Sequence, residues 1–224
     1  DQFGTSVSIN SDATYAVVGA IFENTTGAMY VFTRSGSTWT QQAGPLRATD
    51  MGADDRFGTS ISINSDGTYI IIGANFEDPG GISNGGAAYI WVRSGSAWAH
   101  QAKLTASDVA TNYYFGENVA ISSDGNYAIV GAIRSVTGGL DAGAAYIYVR
   151  SGSTWTQQAK IVSSDAQIYD NFGSAVSLNS DGTYAIVGAP NEDTGGSDAG
   201  AVYVFTRSGS TWSQESKIQG SDTS

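Results

Sequence analysis

Apolar and polar residues alternate along this chain on a period of two rather than 3.6, and the whole pattern then recurs. Within 172–179, Val176 and Leu178 alternate with Ala175, Ser177 and Asn179, which predicts a strand with one polar face. Asn179-Ser180-Asp181-Gly182 follows as a turn, because Asp can bond nearby backbone N–H groups and Gly accepts positive φ. The stretch 184–189 is apolar almost throughout, predicting a strand covered on both faces. After a loop over 190–200, residues 201–205 alternate aromatic with β-branched side chains, Ser208-Gly209-Ser210 turns the chain, and 211–215 begins a more polar fourth strand suited to an outer edge.

The same order is written four times. Phe3-Gly4, Phe57-Gly58, Phe115-Gly116 and Phe172-Gly173 open units spaced by 54, 58 and 57 residues, so the repeats run approximately 1–54, 55–112, 113–169 and 170–224. Tyr15, Tyr69, Tyr127 and Tyr184 start the second strand, and Tyr30, Tyr89, Tyr146 and Tyr203 sit in the third. Arg34, Arg93, Arg150 and Arg207 end the third strand, Trp39, Trp98, Trp155 and Trp212 follow the next turn, and only Trp91 falls outside the register. A four-stranded unit of this length leaves apolar faces that only a neighbour can cover, so the array predicts an all-β fold, a β-propeller built as one domain over 1–224. Four blades suffice for a small closed ring, the arrangement slightly favoured here; otherwise they form part of a larger one, completed by further sequence or by a second copy of the chain. The recurring Trp is expected to pack between blades rather than offer a stacking platform for sugars or bases. The recurring Arg is expected to hold carbonyls or Asp50, Asp108, Asp165 and Asp222 rather than clamp a ligand. Gly19, Gly73, Gly131 and Gly188 are expected where backbones crowd near the axis.

Composition narrows the chemistry. With 29 Gly, 14% charged residues and no stretch of helical period, the chain suits tight turns between strands. A net charge of −11, spread along the sequence, disfavours a phosphate backbone as partner. No apolar run approaches the roughly 20 residues of a spanning helix, so no membrane insertion is expected. No basic signal segment opens the chain and position 1 is not Met, which reads as a mature chain or an excised piece. Cysteine is absent, excluding disulfides and thiolate metal sites. Asn24-Thr25-Thr26 is a glycosylation sequon in a predicted loop.

At Phe172-Gly173 and Gly188-Ala189-Pro190 the pattern resembles the FG-GAP repeat of the integrin α-subunit head and of many bacterial and algal surface proteins. The other copies keep Phe-Gly and Gly-Ala but carry Ile21, Asn75 and Ile133 in place of Pro. The resemblance implies an extracellular or cell-surface module. It also implies calcium in those members whose first hairpin reads Asp-x-Asp/Asn-x-Asp-Gly. Here that hairpin is Asn-Ser-Asp-Gly at 64–67 and 179–182, with Ala at its last place in 10–13 and Ser at its first in 122–125, and one carboxylate per turn falls short of the six to eight oxygens calcium takes. No cofactor is required; calcium is possible, although the family's calcium loop is absent, and Asp12, Asp66, Asp124 and Asp181 are expected to form turns.

The loop between the second and third strands holds a second oxygen-rich set: Glu77 and Asp78, Asp141 beside Arg134, and Glu192, Asp193 and Asp198, with Glu23 in the shortened first copy. These are the candidate ligand-binding residues, and Glu192, Asp193 and Asp198 the weak candidates for a metal. Their irregularity from copy to copy suits a variable binding loop on a rigid scaffold. Catalysis has less to stand on: His100 is the only His, no Ser-His-Asp set is complete, and the pairs Asp54-Asp55 and Glu192-Asp193 are expected to be solvated. The sequence therefore reads as a non-enzymatic recognition or adhesion module for a protein or glycan. A structural building block of a surface assembly is the alternative, and a carboxylate-based glycoside hydrolase stands third.

Overall fold

The computed structural model describes residues 1–137 and 140–221. Blade 1 consists of β1 (Phe3–Ile9), β2 (Tyr15–Ala20), β3 (Ala28–Ser35) and β4 (Thr38–Leu46); blade 2 of β5 (Ile61–Ile63), β6 (Tyr69–Ala74), β7 (Ala87–Ser94) and β8 (Ala97–Leu104). Blade 3 has β9 (Phe115–Ile121), β10 (Tyr127–Ala132), β13 (Ala144–Ser151) and β14 (Thr154–Ile161), with a two-stranded loop hairpin, β11 (Val136–Thr137) and β12 (Leu140–Asp141). Blade 4 has β15 (Ala175–Leu178), β16 (Tyr184–Ala189), β17 (Ala201–Ser208) and β18 (Thr211–Ile218). Each blade is an antiparallel meander in chain order, and no α-helix occurs among the described residues.

The first hairpin of each blade forms because its side chains replace backbone partners. In blade 2 the Asn64 Oδ1 accepts from the N–H groups of Thr68 (2.9 Å) and Tyr69 (2.8 Å), while Asp66 Oδ1 accepts from Thr68 N–H at 3.0 Å. Asp12, Asp124 and Asp181 serve the corresponding turns, so these carboxylates are turn formers as expected.

Three apolar clusters lie between blades: Val17, Met29 and Phe57 with Ile70 and Ile72; Ile71, Ile90 and Phe115 with Val130; and Ile129, Ile147 and Phe172 with Val187. Each Phe-Gly step is seated on the preceding blade by a parallel bridge, Gly27 to Phe57, Gly86 to Phe115 and Gly143 to Phe172. Crowding there explains the Gly-Ala glycines. A Cβ on Gly73 would lie 2.0 Å from the Gly116 carbonyl oxygen, one on Gly131 2.0 Å from that of Gly173, and one on Gly19 2.3 Å from that of Gly58.

The recurring Trp and Arg also join blades. Trp98, Trp155 and Trp212 donate their indole N–H to Gln42, Gln101 and Gln158 of the blade before. Arg93, Arg150 and Arg207 donate Nε–H to the hairpin carbonyls of Gly67, Gly125 and Gly182, each at 2.7 Å. Their guanidiniums lie 4.3–4.6 Å above Tyr15, Tyr69 and Tyr127 of the preceding blade. The carbonyl role matches expectation, but Asp50, Asp108 and Asp165 are instead paired with Lys103, Lys160 and Lys217; Asp222 lies outside the described residues.

Of the two ring closures the sequence allowed, the small one does not form. Among the described residues blade 4 packs on blade 3 and not on blade 1, and the outer faces of blades 1 and 4 are open. Phe3 is 56% exposed where Phe57, Phe115 and Phe172 are 0%, and Ile186 is 46% exposed where Ile71 and Ile129 are 0%. The chain is an arc of four blades whose fourth does not reach the first.

Candidate functional site

The loops joining second to third strands and those entering each Phe-Gly share one end of the arc, here called its upper face. The expected acidic residues all belong to it, but the structure spends most of them on building the loops. Glu77 and Glu192 are buried, and Lys103 (2.6 Å) and Lys217 (2.7 Å) hold their Oε1 atoms. Asp78 Oδ1 accepts from Asn84 N–H at 2.7 Å and Asp193 Oδ1 from Asp198 N–H at 2.7 Å, which fixes each loop. Asp198 is exposed with φ at +53°. Asp141 sits in β12, half-buried, and burial raises its carboxyl against the pull of Arg134. Glu192, Asp193 and Asp198 thus do not converge as a metal-holding set, and no group of three or more His, Asp or Glu does so among the described residues. Asn24 is exposed in a single left-handed turn at φ +50°, and His100 lies exposed in β8.

Each Lys is the hub of a repeated box. Lys160 pairs with Asp108 at 2.7 Å, and Asp108 also accepts from the Tyr146 hydroxyl at 2.8 Å; Lys217, Asp165 and Tyr203 repeat this at 2.7 and 2.7 Å. In blade 2 the carboxyls are driven apart. Burial pushes Glu77 and Asp55 up, whereas Lys103 outweighs burial at Asp50 and holds it down. Opposed carboxyls are what a hydrolase uses, but here a lysine ammonium stands between Asp50 and Glu77, and Asp55 accepts from Gly52 N–H at 2.6 Å. Asp170 accepts from Gln167 N–H at 2.7 Å in blade 4, so the arrangement is a loop clamp used twice.

This box makes stability pH-dependent. Burial alone would raise Glu192, but Lys217 and Thr194 outweigh it and hold the carboxyl below its ordinary value of 4.5. A depressed carboxyl contributes stability above its unfolded value and loses it as pH falls through the folded one. Lys217→Met should therefore cost about 2 kcal/mol near neutrality, the loss of a charged partner from a buried carboxylate that keeps only Thr194 and Gln219, and much less below the point where Glu192 is protonated. Urea denaturation of both proteins across this range checks it; a cost independent of pH would refute the pairing.

A different set of residues, most of them half-buried, gathers on the upper face. The residue before each Phe-Gly is left-handed in all four copies: Gln2 (φ +52°), Arg56 (+59°), Tyr114 (+53°) and Asn171 (+56°). In each, its carbonyl accepts from the N–H three residues on, 3.1–3.2 Å away, at Thr5, Thr59, Glu117 and Ser174. The intervening glycine has positive φ, as such a turn demands. The turn is constant while the side chain it presents changes from copy to copy. Beside it stand the residues after Gly-Ala: Phe22, Asn75-Phe76, Ile133-Arg134 and Asn191.

Across blades 1 to 3 these side chains form one row. The Arg56 guanidinium carbon lies 5.8 Å from the Phe22 ring and 3.8 Å from Phe76; Phe76 meets Tyr114 at 5.2 Å; Arg134 lies 5.6 Å from Tyr114. Two cations and three rings thus make one continuous row, three of its neighbouring pairs within cation–π range and the fourth, Phe76 with Tyr114, a ring pair. Arg56 Nε is buried and finds no hydrogen-bond partner. Below the row, Asn75 donates to Glu117 Oε2 at 2.6 Å, and Arg56, Asn75, Phe76, Tyr114, Glu117 and Arg134 line a cleft of about 200 Å³. The sequence reading missed this row. Its signal was present as the variable positions flanking the constant Phe-Gly and Gly-Ala steps, but which of them touch is decided by the blade-to-blade rotation.

The FG-GAP repeat profile matches this chain over residues 1–32, 39–91, 98–148 and 155–205. No curated protein matches in sequence. Among solved structures, the Pseudomonas aeruginosa periplasmic gluconolactonase PpgL superposes with a TM-score of 0.63 at 14% identity, over 97% of this chain and 58% of that one. TolB from Acinetobacter baumannii superposes with a TM-score of 0.51 at 13% identity, over 93% and 42%. At such identity the likeness shows the propeller fold alone, and the chain spans less than two thirds of either protein.

Proposed function

We propose that this chain, which belongs to the FG-GAP repeat family, is a non-enzymatic recognition or adhesion module that works outside the cell and holds a protein or glycan on its upper face. The observation that carries the reading is the Phe22–Arg56–Phe76–Tyr114–Arg134 row, set on turns whose backbone is the same in every repeat. Aromatic faces accept sugar C–H groups or apolar side chains, and guanidiniums pair with carboxylates through two hydrogen bonds. On a chain of net charge −11, this cationic strip suits a ligand that brings its own carboxylate.

An array of carboxylate-bearing glycans and acidic cell-surface proteins probes this directly. Saturable binding is expected, weakened by Arg134→Ala by about 2 kcal/mol, roughly 30-fold, as for an arginine that carries much of an interface's energy. Absence of saturable binding, or binding indifferent to both Arg134→Ala and Arg56→Ala, would overturn the proposal. Turnover of a glycoside or a sugar lactone by the purified chain would replace it with an enzymatic one. The open apolar faces of blades 1 and 4 favour a second reading, a building block of a larger surface assembly.

A further inference from the structure

Blade 4 presents the receiving half of the junction that joins blades inside the arc, and blade 1 presents the inserting half. On the receiving side, Gly200 occupies the place of Gly27, Gly86 and Gly143, which seat the next Phe. It borders a cavity of about 610 Å³ lined also by Gly188, Val202 and Ile218. Nothing lies nearer than 3.4 Å to a Cβ built on Gly188, where its counterparts meet the next blade's glycine. Ser177 stands where Ser8 and Ser62 accept from the N–H of Ile63 and Ile121, and Glu215 where Gln42, Gln101 and Gln158 accept from Trp.

The inserting side is already shaped for this seat. Gly4 has φ +94°, against +102°, +95° and +101° at the docked Gly58, Gly116 and Gly173. Phe3 packs on Tyr30 and Phe32 at 5.3 and 6.1 Å, as the docked Phe172 packs on Tyr203 and Phe205 at 5.5 and 6.0 Å. Phe3, Val7, Ile9 and Trp39 are nevertheless exposed, and Arg34 donates Nε–H to the Ala13 carbonyl as Arg93, above Tyr15, does to that of Gly67.

We propose that a second copy of this chain docks its blade 1 onto blade 4 of the first, head to tail, and that two arcs close on each other through two such junctions. Every contact the junction needs is supplied by this chain's own opposite face, which is why a second copy is the occupant assigned. Eight blades also lie within the range of known propellers. A head-to-tail contact either closes into a ring or runs on as a filament. One residue fits poorly. Ala13 replaces the hairpin glycine of the other copies, where a Cβ would lie 2.4–2.9 Å from the preceding Tyr ring; Tyr184, exposed on the open face, would have to swing aside.

Sedimentation velocity at up to about 100 μM tests this with the wild type, Ala13→Gly, Val7→Asp and Ile186→Asp, the last two at exposed positions and checked for unchanged circular dichroism. The wild type should sediment as a dimer of 23.2 kDa chains, and Ala13→Gly should associate about tenfold more tightly once the overpacking is relieved. Val7→Asp and Ile186→Asp should each be monomeric alone, and their mixture should form a one-junction heterodimer, since each keeps one intact face. Longer oligomers disrupted by the same two changes would support the junction and overturn the closed ring. Monomeric wild type and Ala13→Gly would overturn the proposal and assign the faces to another occupant, such as a further repeat. A dimer untouched by either aspartate would overturn it equally.

Discussion

Replacing Trp155 by Ala should cost about 3–5 kcal/mol of unfolding free energy, the range for deleting a large buried ring, whereas Trp39→Ala should cost under about 1 kcal/mol. The two residues occupy the same position in their repeats. Trp155 is 9% exposed against blade 2 and donates its indole N–H to Gln101 at 3.0 Å; Trp39 has no blade before it and is 39% exposed. Denaturant melts of both single variants, run at concentrations where the chain is monomeric, give the comparison. Equal losses would mean that Trp stabilises its own blade rather than the junction, and the account of an array held together at its interfaces would fail.

Gly73→Ala should destabilise by about 3 kcal/mol, the upper range for overpacking, while Gly188→Ala should be close to neutral. One methyl group added at Gly73 would meet the Gly116 carbonyl oxygen at 2.0 Å, and that atom is backbone and cannot swing away; at Gly188 the nearest atom is the Ala175 methyl at 3.4 Å. Neither glycine has positive φ, so backbone strain does not confuse the comparison and the difference reports blade contact alone. A loss of stability at Gly188 matching that at Gly73 would show the open face of blade 4 to be covered in solution. If it appeared only at concentrations where the chain associates, it would support head-to-tail docking.

The repeat period, the order of strands and the turn role of Asp12, Asp66, Asp124 and Asp181 are all legible in the sequence. Each depends on neighbours within a few residues: alternation sets a strand's faces, and Asx side chains close a turn on their own backbone. The packing role of Trp98 and Trp155 was legible for a related reason, since a large aromatic at a fixed place in every repeat must meet the same surface each time. The loop acids were the weaker inference. Glu77 and Glu192 are acidic and loop-borne, as read, but burial against a lysine some 25 residues later turned them into struts.

By itself the sequence determined that each unit is an unfinished sheet in need of a sibling, because apolar faces and glycine steps are local facts repeated four times. Only the tertiary structure decided how far the siblings turn relative to one another. That rotation leaves Phe3 and Ile186 in the open and brings Phe22, Arg56, Phe76, Tyr114 and Arg134 from three repeats into one row. The blades meet where one backbone lies close against another, as at Gly73 and Gly116, and how residues 43 positions apart come together is not encoded by any local pattern.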